Sequence, residues 1–449
     1  MNNPCKFITP PKDKFFGLLT GHALKARKRL ELYQWLGSFG DYVHFRLGSL
    51  NIYLLNDPEA VNHILKKNAK NYTKNTPAYE VVAKVTGKGV FTESEDSWLS
   101  IRKIAQPFFT NKQVGHWESI VEKVCLDLEE NLKLIERKGE LFNFSPLMTR
   151  LTLRVLGESI FDKDLGLKAE IFDRELGQLI KVTNDIITLK MSLNFWKKYQ
   201  NKKKFNHSMA VLDSLIGDLV NEAKSEKLDN PNNMIHAFLK APFKVDQQYL
   251  IDQVKTMAFA GHETTSTVLS WGLHFISVYP EWQEKIYLEL KQNFHDGKLS
   301  GKNIYQCHEL EMYINECIRM YPPAWAFSRR AISDDFINGY KIKAGSIVTV
   351  SPYLLGHDVR YWIRPDEFNP YRFSDENHIQ RRHAYSFIPF GLGPRACIGE
   401  KLSRLEMMMI LATFIKDYRI LPSGDKVEME PSLTLSVKNG IKLKLVKRI

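Results

Sequence analysis

The segment FGLGPRACIG at residues 390–399 constrains the fold of this 449-residue chain most strongly, because it places one cysteine before an apolar helical pattern. Gly391 and Gly393 allow the backbone to approach a bulky planar ligand, and Arg395 offers a fixed fork of donors to a carboxylate. At a helix N-terminus, unpaired N–H groups and the macrodipole favour the thiolate form of Cys397. Because a thiolate binds iron, the segment predicts a haem ligand.

Other functions of Cys397 are less consistent with the sequence. A zinc site requires three or four ligands with close pairs such as C-x-x-C, and five cysteines in a long chain argue against a disulfide framework. A buried thiol without function is the default for a lone cysteine, but it does not explain the neighbouring glycines and arginine. A nucleophilic cysteine stays an alternative. The remaining cysteines, without paired spacing, are Cys5, Cys125, Cys307 and Cys317.

The pattern F-x-x-G-x-R-x-C-x-G at residues 390–399 resembles the cysteine-ligand loop of the haem-thiolate monooxygenases, the cytochrome P450 superfamily. The resemblance extends from a strand pair near residue 42 to the last predicted turn. It implies a mainly α fold of the α+β class, in which a large helical body encloses haem b beside a smaller β-rich lobe. It also implies that Cys397 is the axial ligand of the haem iron, that Phe390 and Gly391 contact the haem, and that dioxygen is a co-substrate.

One domain over residues 1–449 is expected, although a chain of this length often forms about three domains. The motifs near residues 98, 264, 316 and 397 would all serve one ligand, and no flexible linker or internal repeat divides the sequence. Hydrophobic residues make up 44% of the chain, enough for a substantial core. The predicted β-rich portions lie near 40–56, 330–352 and 425–449, and the helical body lies at about 57–330 and 398–417.

Periodicity and turn residues predict the individual elements. Strands are expected at 42–47, 51–55, 340–342 and 346–350, with turns at Gly48 and Asn338-Gly339 and a terminal hairpin around Asn439-Gly440. Asp57 and Pro58 are favourable residues for starting a helix. The longer helices are expected at about 95–108, 114–137, 146–161 with Ser145 as N-cap, 171–189, 205–227 and 247–278.

The net charge of +12, from 63 basic and 51 acidic side chains, favours acidic partners or anionic surfaces. Basic clusters lie at 25–29 and at 197–204, the second among aromatic residues. Each cluster can be a solvated helix face, and contact of the second with a membrane surface is the alternative. Nucleic acid binding is not expected, because no recognised module accompanies the charge.

The sequence shows no sign of a membrane-spanning segment. No apolar run approaches the ~20 residues that a span requires, and residues 1–14 carry three prolines among polar residues without the apolar core of a signal peptide. We therefore expect a soluble, cytoplasmic protein without a transmembrane anchor.

A helical pattern over residues 247–278 contains the sequence AGHETT at 260–265, where we expect an interruption of the helix. Ala260, Gly261 and Thr264 share one face, and the two small residues would let a flat ligand lie against the backbone. The Thr264 hydroxyl can bond back to the carbonyl of residue 260, or release it and open a groove. Relief of crowding between helices is the alternative explanation for the small residues.

The AGHETT hexapeptide resembles the oxygen-activating motif of the cytochrome P450 superfamily. The resemblance implies that Thr264 organises dioxygen and a water and that Glu263 helps to relay protons. Heterolytic O–O cleavage requires two protons, delivered opposite an electron-rich thiolate. Glu263 lies about 100° around the helix from Thr264 and is expected to face a solvent channel. His262 is expected to pack or titrate away from the iron.

Glu316 and Arg319 lie three residues apart on a predicted helix, where their charged ends can meet. Such pairs are common on surfaces, but Arg372 follows in an N-P-Y-R-F segment upstream of the cysteine loop. The combination resembles the glutamate-arginine-arginine network of the superfamily. It implies a buried structural triad of Glu316, Arg319 and Arg372.

Haem carries two propionates, and burying them requires cations. Trp98 and Arg102 lie four residues apart on one predicted helix and match the W-x-x-x-R propionate clamp of the superfamily. The resemblance implies that Arg395 and Arg329 supply further contacts, although the adjacent Arg330 leaves the second position open by one residue.

The resemblance implies a cytochrome P450 monooxygenase that activates dioxygen reductively and hydroxylates an apolar substrate such as a fatty acid, a terpenoid or another lipid. Electrons are expected ultimately from NAD(P)H through a separate ferredoxin or flavodoxin-type donor with its reductase, because no flavin or iron–sulfur domain follows Cys397. The regions expected to line the substrate pocket are apolar and lie at 75–92, 166–199, 323–327 and 433–436.

Three other functions stay open from the sequence. A peroxide-driven haem-thiolate enzyme would need no electron donor, and a non-catalytic thiolate-haem sensor would have little need for Glu263 and Thr264. A haem-free cysteine hydrolase is the most distant alternative. The acid and alcohol pair favours the monooxygenase, because that reaction consumes protons.

Overall fold

The structure is a computed structural model that describes residues 7–9, 29–47, 49–189, 195–226, 230–374 and 383–448, with the side chains of 183–199 left out. The predicted turn at Gly48 and parts of the basic clusters at 25–29 and 197–204 lie outside the described residues. The helices are α1 Arg29–Gly37, α2 Pro58–Asn62, α3 Pro77–Thr86, α4 Glu95–Ala105, α5 Val114–Lys138, α6 Ser145–Phe161, α7 Ala169–Leu189, α8 Phe195–Ser225, α9 Met234–Leu239, α10 Gln247–Val278, α11 Pro280–Asn293, α12 His308–Met320, α13 Pro352–Gly356 and α14 Glu400–Asp417.

The strands are short and lie mainly near the two ends of the chain. They are β1 Tyr42–Leu47, β2 Leu50–Leu55, β3 Tyr72–Thr73, β4 Phe142–Asn143, β5 Phe327–Ala331, β6 Asp335–Ile337, β7 Tyr340–Ile342, β8 Ile347–Val350, β9 Tyr418–Pro422, β10 Met429–Pro431, β11 Leu435–Val437 and β12 Lys442–Lys447. The largest sheet has the order β1-β2-β8-β5-β3, with β2 and β8 parallel and its other neighbours antiparallel. A second sheet has the order β4-β12-β9, and β6-β7 and β10-β11 form separate pairs.

The core of the helical body is built around α10. The Asp246 side chain caps its start by accepting a hydrogen bond from the Tyr249 N–H across 2.8 Å. The helix packs against α6, α8, α12 and α14, and residues on several of its sides are buried, including Val254, Leu269 and Trp271. Such all-round burial is typical of a central helix. The interruption expected at 260–265 is wrong, because the helix continues through these residues.

A local side-chain cap starts several helices, such as Asp57 before α2 and Asn233 before α9, but the expected cap at Ser145 does not form. Helix α6 begins at Ser145 itself, and Phe144 takes the N-cap position. The Ser145 hydroxyl instead accepts a hydrogen bond from the Ile441 N–H across 3.1 Å. The predicted N-cap is therefore wrong, because a distant strand segment binds this hydroxyl.

The turn at Asn439-Gly440 forms, but the terminal hairpin does not. Both residues have the left-handed φ values that such a turn requires, +65° and +75°. The flanking strands pair elsewhere, β11 with β10 and β12 with β9. In contrast, the turn predicted at Asn338-Gly339 forms, and it joins β6 and β7 into a hairpin.

Within the described part of the chain, no helix combines the length and the apolar character needed to cross a membrane.

The loop before α14 touches the π-helical turn His63–Lys67, and Gly393 lies at the contact. A Cβ added to Gly393 would clash with the carbonyl oxygen of Leu65, whereas a Cβ at Gly297 would meet no atom of the described residues within 4 Å. Both glycines have a φ of +71°. Comparing substitutions at the two glycines therefore distinguishes the cost of the backbone conformation from the cost of steric overlap.

We expect Gly393→Ala to be more destabilising than Gly297→Ala. Each substitution should lower the free energy of unfolding by about 1–2 kcal/mol, because alanine disfavours the left-handed backbone conformation. Gly393→Ala should lower it by roughly 1–3 kcal/mol more through overpacking. Urea unfolding followed by circular dichroism measures both losses. Equal losses in the two variants would show that the contact with Leu65 relaxes freely.

Candidate functional site

Cys397 lies in a loop that folds back on itself between the 3₁₀ turn Gly393–Arg395 and α14. The Cys397 N–H donates a hydrogen bond to the carbonyl oxygen of Phe390 across 2.7 Å. Gly391 and Gly393 have φ values of +72° and +71°, which other residues rarely adopt. The loop thus holds the cysteine by its backbone.

The Cys397 side chain is exposed, yet burial is the main cause that raises the pKa of its thiol, and a bond from the Gly399 backbone lowers it in part. Solvent access to the side chain and burial of the thiol are both explained if Cys397 lies at the bottom of a recess that is open to solvent. This rise in the pKa of the thiol is opposite to the lowering expected from a helix N-terminus, because α14 begins only at Glu400. A bound metal would lower the pKa instead, since a thiol that coordinates a metal is deprotonated.

Four cationic side chains, Lys74, Arg102, Arg329 and Arg395, gather around this recess. Burial lowers the pKa of Lys74 well below its usual value, the charges of the three arginines lower it further, and Cys397 raises it. Burial and the charge of Arg329 lower the pKa of Arg395 to about 10. Among the described residues, no carboxylate lies within 4.0 Å of any of the four cationic groups.

The tryptophan and arginine predicted as a clamp both contact the cysteine loop. The Arg395 guanidinium lies over the Trp98 ring, 4.1 Å from its centre, and donates a hydrogen bond to the Glu93 carbonyl across 2.6 Å. Arg102 donates to the carbonyl of Ala396 across 3.1 Å. Helix α4 and the cysteine loop are therefore joined at the recess.

Arg329 and Arg330 point in different directions. Arg329 is 8% exposed and donates a hydrogen bond to the Tyr79 hydroxyl across 3.2 Å. Arg330 is directed outwards, where it donates to the carbonyls of Asn75 and Gly345 across 2.5 and 3.0 Å. Of the two positions left open by the sequence, Arg329 lies in the cation cluster.

Lys74 is the member of the cluster that sequence reasoning missed. Its ammonium donates a hydrogen bond to the Phe91 carbonyl across 2.8 Å and lies 4.6 and 5.0 Å from the ring centres of Phe91 and Tyr79. No motif marks it. In the antiparallel pairing of β3 with β5, Thr73 is opposite Arg330, so that Lys74 falls beside Arg329. Only this strand register would have revealed it.

The cluster fits a ligand that carries two carboxylates. Burying an unpaired cation costs several kcal/mol in effective free energy, and mutual repulsion among the four charges adds to this cost. The propionates of a haem would supply the missing anions, and the same haem would place its iron near a cysteine. The side chains that surround the recess therefore fit haem.

An aromatic contact joins α10 to the cation cluster. The ring of Phe259 lies 6.5 Å from the ring of Phe91, and the Phe91 carbonyl accepts the hydrogen bond from Lys74. The AGHETT segment, which starts at the next residue, thus lies beside the recess.

Thr264 and Gly261 have different neighbours. The Thr264 hydroxyl donates a hydrogen bond to the Ala260 carbonyl across 2.8 Å. Of the two states expected from the sequence, bonded to this carbonyl or released from it, the structure has the bonded one. A Cβ at Gly261 would lie 2.8 Å from the side chain of Leu156 on α6. The small size of Gly261 therefore serves helix packing, and its expected contact with a flat ligand stays a prediction.

Glu263 is partly buried and held by a hydrogen bond, and the solvent channel expected beside it stays a prediction. Its side chain is 20% exposed, and its carboxylate oxygen Oε1 accepts a hydrogen bond from the Thr434 hydroxyl across 2.8 Å. Burial raises the pKa of Glu263, and the bond from Thr434 lowers it in part. Thr434 belongs to a segment expected to line the pocket, but its contact with the acid was not predicted.

Glu316, Arg319 and Arg372 meet in a buried network, as expected. Two nitrogens of Arg319 lie 2.7 and 2.8 Å from the two oxygens of Glu316, and Arg372 Nε lies 3.2 Å from Oε1. The remaining donors reach backbone carbonyls, from Arg319 to Gly356 across 2.6 Å and from Arg372 to Arg364 across 2.7 Å. The network holds the segment upstream of the cysteine loop against α12.

The sequence model of the family described as cytochrome P450 matches residues 10–445. The chain belongs to the cytochrome P450 family. It is therefore a haem-thiolate monooxygenase, an oxidoreductase whose haem iron works with dioxygen and a redox partner. The predicted family and reaction class are confirmed.

Curated relatives align with nearly the whole chain. Protein LUTEIN DEFICIENT 5, chloroplastic, of Arabidopsis thaliana is 26% identical over 93% of this chain and 74% of its own. Cyclooctatin synthase of Streptomyces melanosporofaciens is 26% identical over 93% of this chain and 92% of its own. Cytochrome P450 4V2 of Homo sapiens is 27% identical over 96% of this chain and 88% of its own. The crystal structure of the cytochrome P450DA heme domain has a TM-score of 0.86 at 21% identity, with 100% and 99% coverage. This likeness confirms the predicted fold class.

We expect Glu316→Gln to destabilise this cytochrome P450 by about 3–5 kcal/mol, because it leaves two buried guanidinium groups without their anion. Haem incorporation should fall with it, since the network supports the cysteine loop. The measurements are thermal unfolding and the fraction of protein whose reduced, carbon monoxide-bound spectrum shows the red-shifted Soret band of thiolate ligation.

The matched control is Glu130→Gln. Glu130 pairs with Lys133 at the same three-residue spacing and across 2.6 Å, but both side chains are exposed, at 72% and 52%. This control should leave stability and haem content nearly unchanged. If Glu316→Gln behaved in the same way, the triad would have no structural role.

Proposed function

We propose that Cys397 binds the iron of haem b and that one aromatic and four cationic side chains hold the two propionates, namely Trp98, Lys74, Arg102, Arg329 and Arg395. The observation that carries this proposal is the buried cation cluster, which has no carboxylate partner among the described residues. Phe390, Gly391 and Ala260 would contact the macrocycle. With a thiolate ligand, bound haem supplies reductive activation of dioxygen and insertion of one oxygen atom into an unactivated C–H bond.

The proposed roles of Glu263 and Thr264 concern protons. The Thr264 hydroxyl directs its hydrogen to the Ala260 carbonyl, so its lone pairs can accept a hydrogen bond from a water. The raised pKa of Glu263 favours the protonated carboxyl, which can donate. Together they can order a water and deliver protons to the oxygen-binding side of the site. A site that can deliver protons favours a reductase-driven monooxygenase over the peroxide-driven enzyme and the sensor.

We expect Thr264→Ala to uncouple electron consumption from product formation, because the water beside α10 loses its hydrogen-bond partner. The ratio of product to NAD(P)H consumed should fall several-fold, and hydrogen peroxide should rise to match. Thr264→Ser, which keeps the hydroxyl, should retain most of the coupling. Tight coupling in Thr264→Ala would contradict the role in proton delivery.

The proposed substrate is an elongated apolar molecule such as a fatty acid or a terpenoid. Aromatic side chains lie beside the recess, where the rings of Tyr79 and Phe91 are 5.5 Å apart. Two of the segments expected to line the pocket also contact each other, because the Leu435 N–H donates to the Pro323 carbonyl across 3.1 Å. Apolar walls with few polar groups favour a ligand without many hydrogen-bonding atoms.

A spectral screen tests the substrate class. Long-chain fatty acids and terpenoids should shift the Soret band of the ferric protein by displacing water from the iron, and small polar amines should bind with a different shift or not at all. Product analysis with a surrogate ferredoxin and reductase should then show a mono-hydroxylated compound. Binding of polar molecules alone would contradict the apolar substrate.

The electron donor is proposed to be a separate ferredoxin or flavodoxin-type protein that receives electrons from NAD(P)H through its reductase. The net charge of +12 suits association with such acidic proteins. A cytoplasmic location stays a prediction from the sequence.

A further inference from the structure

His262 is a fully buried histidine with one bonded and one free ring nitrogen. Nδ1 lies 2.6 Å from the Ala258 carbonyl oxygen, and a carbonyl can only accept, so Nδ1 carries a hydrogen. In the neutral ring Nε2 therefore holds a lone pair. Nε2 is buried and has no hydrogen-bond partner among the described residues. Such an orphaned acceptor in the interior requires an explanation.

The Glu263 carboxyl lies beside this nitrogen. Its Oε2 atom is 3.9 Å from His262 Nε2, while its Oε1 atom accepts the hydrogen bond from Thr434. Because Oε1 is the acceptor, the hydrogen of the neutral carboxyl belongs on Oε2, the oxygen that faces the histidine. One proton can thus reside on either group, giving a neutral pair or an ion pair.

Three elements surround the pair. Helix α6 contributes the Thr152 hydroxyl, which donates to the His262 carbonyl across 3.4 Å. Helix α7 contributes Phe172, whose ring lies 5.4 Å from the imidazole, and the carboxyl of Asp173. The segment before β11 contributes Thr434. Asp173 is thus the charged group that faces the pair from a neighbouring element within the described part, and it is exposed.

Burial favours the neutral pair at rest, because it lowers the pKa of His262 and raises the pKa of Glu263. Ionisation of Glu263 changes this balance. A carboxylate at 3.9 Å attracts a proton to His262 strongly in a medium of low dielectric constant. The charge of Asp173 also raises the pKa of His262. The pair is therefore arranged to take up a proton when the acid has lost one.

We propose that His262 reprotonates Glu263 during turnover and that Thr434 fixes the orientation of the acid for this transfer. The inference rests on the proposed role of Glu263 as a proton donor. Glu263 gives its carboxyl proton to the water that Thr264 orders and becomes a carboxylate. His262 Nε2 takes one proton from solvent near Asp173 and passes it to Oε2. Two such cycles supply the two protons that, with two electrons, convert dioxygen and substrate into hydroxylated product and water.

The protonation state of His262 can be observed directly. In the diamagnetic ferrous, carbon monoxide-bound holoenzyme labelled with ¹⁵N-histidine, His262 should be the Nδ1–H tautomer at neutral pH. Its titration midpoint should fall in Glu263→Gln, because the carboxylate that stabilises the imidazolium is gone. An Nε2–H tautomer, or a midpoint unchanged by Glu263→Gln, would overturn the proposal.

Coupling measurements test the role in turnover. His262→Gln keeps a polar side chain but cannot titrate, and we expect it to lower product per NAD(P)H several-fold and to weaken the pH dependence of coupling. Thr434→Val should have a similar effect, and Thr434→Ser should restore coupling. Haem content should stay unchanged in all of these variants, and substrate affinity should stay unchanged in His262→Gln. Normal coupling and pH dependence in His262→Gln would overturn the proposal.

His236 provides a matched control. It is also buried, with one ring nitrogen 2.8 Å from the Ala223 carbonyl and the other unpartnered in the described structure, but it lies on α9 outside the site. His236→Gln should leave coupling intact. If Glu263→Gln also left coupling intact, the proposed function of Glu263 would be wrong. If Glu263→Gln lowered coupling and His262→Gln did not, only the role of His262 would be wrong.

Discussion

Burial of positive charge that has no carboxylate partner among the described residues is the constraint on which the site around Cys397 depends. Lys74 and Arg395 lose much of their hydration, and neighbouring cations lower the pKa of each further. A folded chain tolerates this only if an anion compensates, because unpaired buried charges cost several kcal/mol in effective free energy. The cluster therefore destabilises the protein without its dicarboxylate cofactor and stabilises the protein that holds it, so that folding and cofactor binding are coupled.

The cysteine loop is held from several directions by contacts of different kinds. Arg102 on α4 binds the Ala396 carbonyl, the turn His63–Lys67 leaves no room for a side chain at Gly393, and the buried triad ties the upstream segment to α12. Backbone carbonyls accept most of these hydrogen bonds. Such bonds position the loop independently of the side chains that it carries, and they leave the sulfur of Cys397 free to bind a metal.

Local signals made part of this architecture predictable. The helix over 247–278 and the strand over 42–47 have the predicted bounds, because capping residues and periodicity act within one element. The cysteine loop and the triad were found from short motifs that resemble those of the cytochrome P450 superfamily. Lys74, Thr434 and the packing role of Gly261 were missed, because each depends on a partner distant in sequence. The hairpin expected at Asn439-Gly440 failed for the same reason, since its turn is local but its strand pairing is not.

The contact between Thr434 and Glu263 joins a segment expected to line the substrate pocket to the acid proposed to donate protons. Two hydrogen bonds fasten the segment around Thr434 to α10, one from its hydroxyl to Glu263 and one from Trp271 Nε1 to the Leu435 carbonyl across 2.9 Å. The same segment is expected to line the substrate pocket. A ligand that displaces it would also move the hydrogen bond that orients the acid. Because a carboxyl must point its proton along the transfer path to donate it, substrate shape can control coupling without contact between the substrate and Glu263.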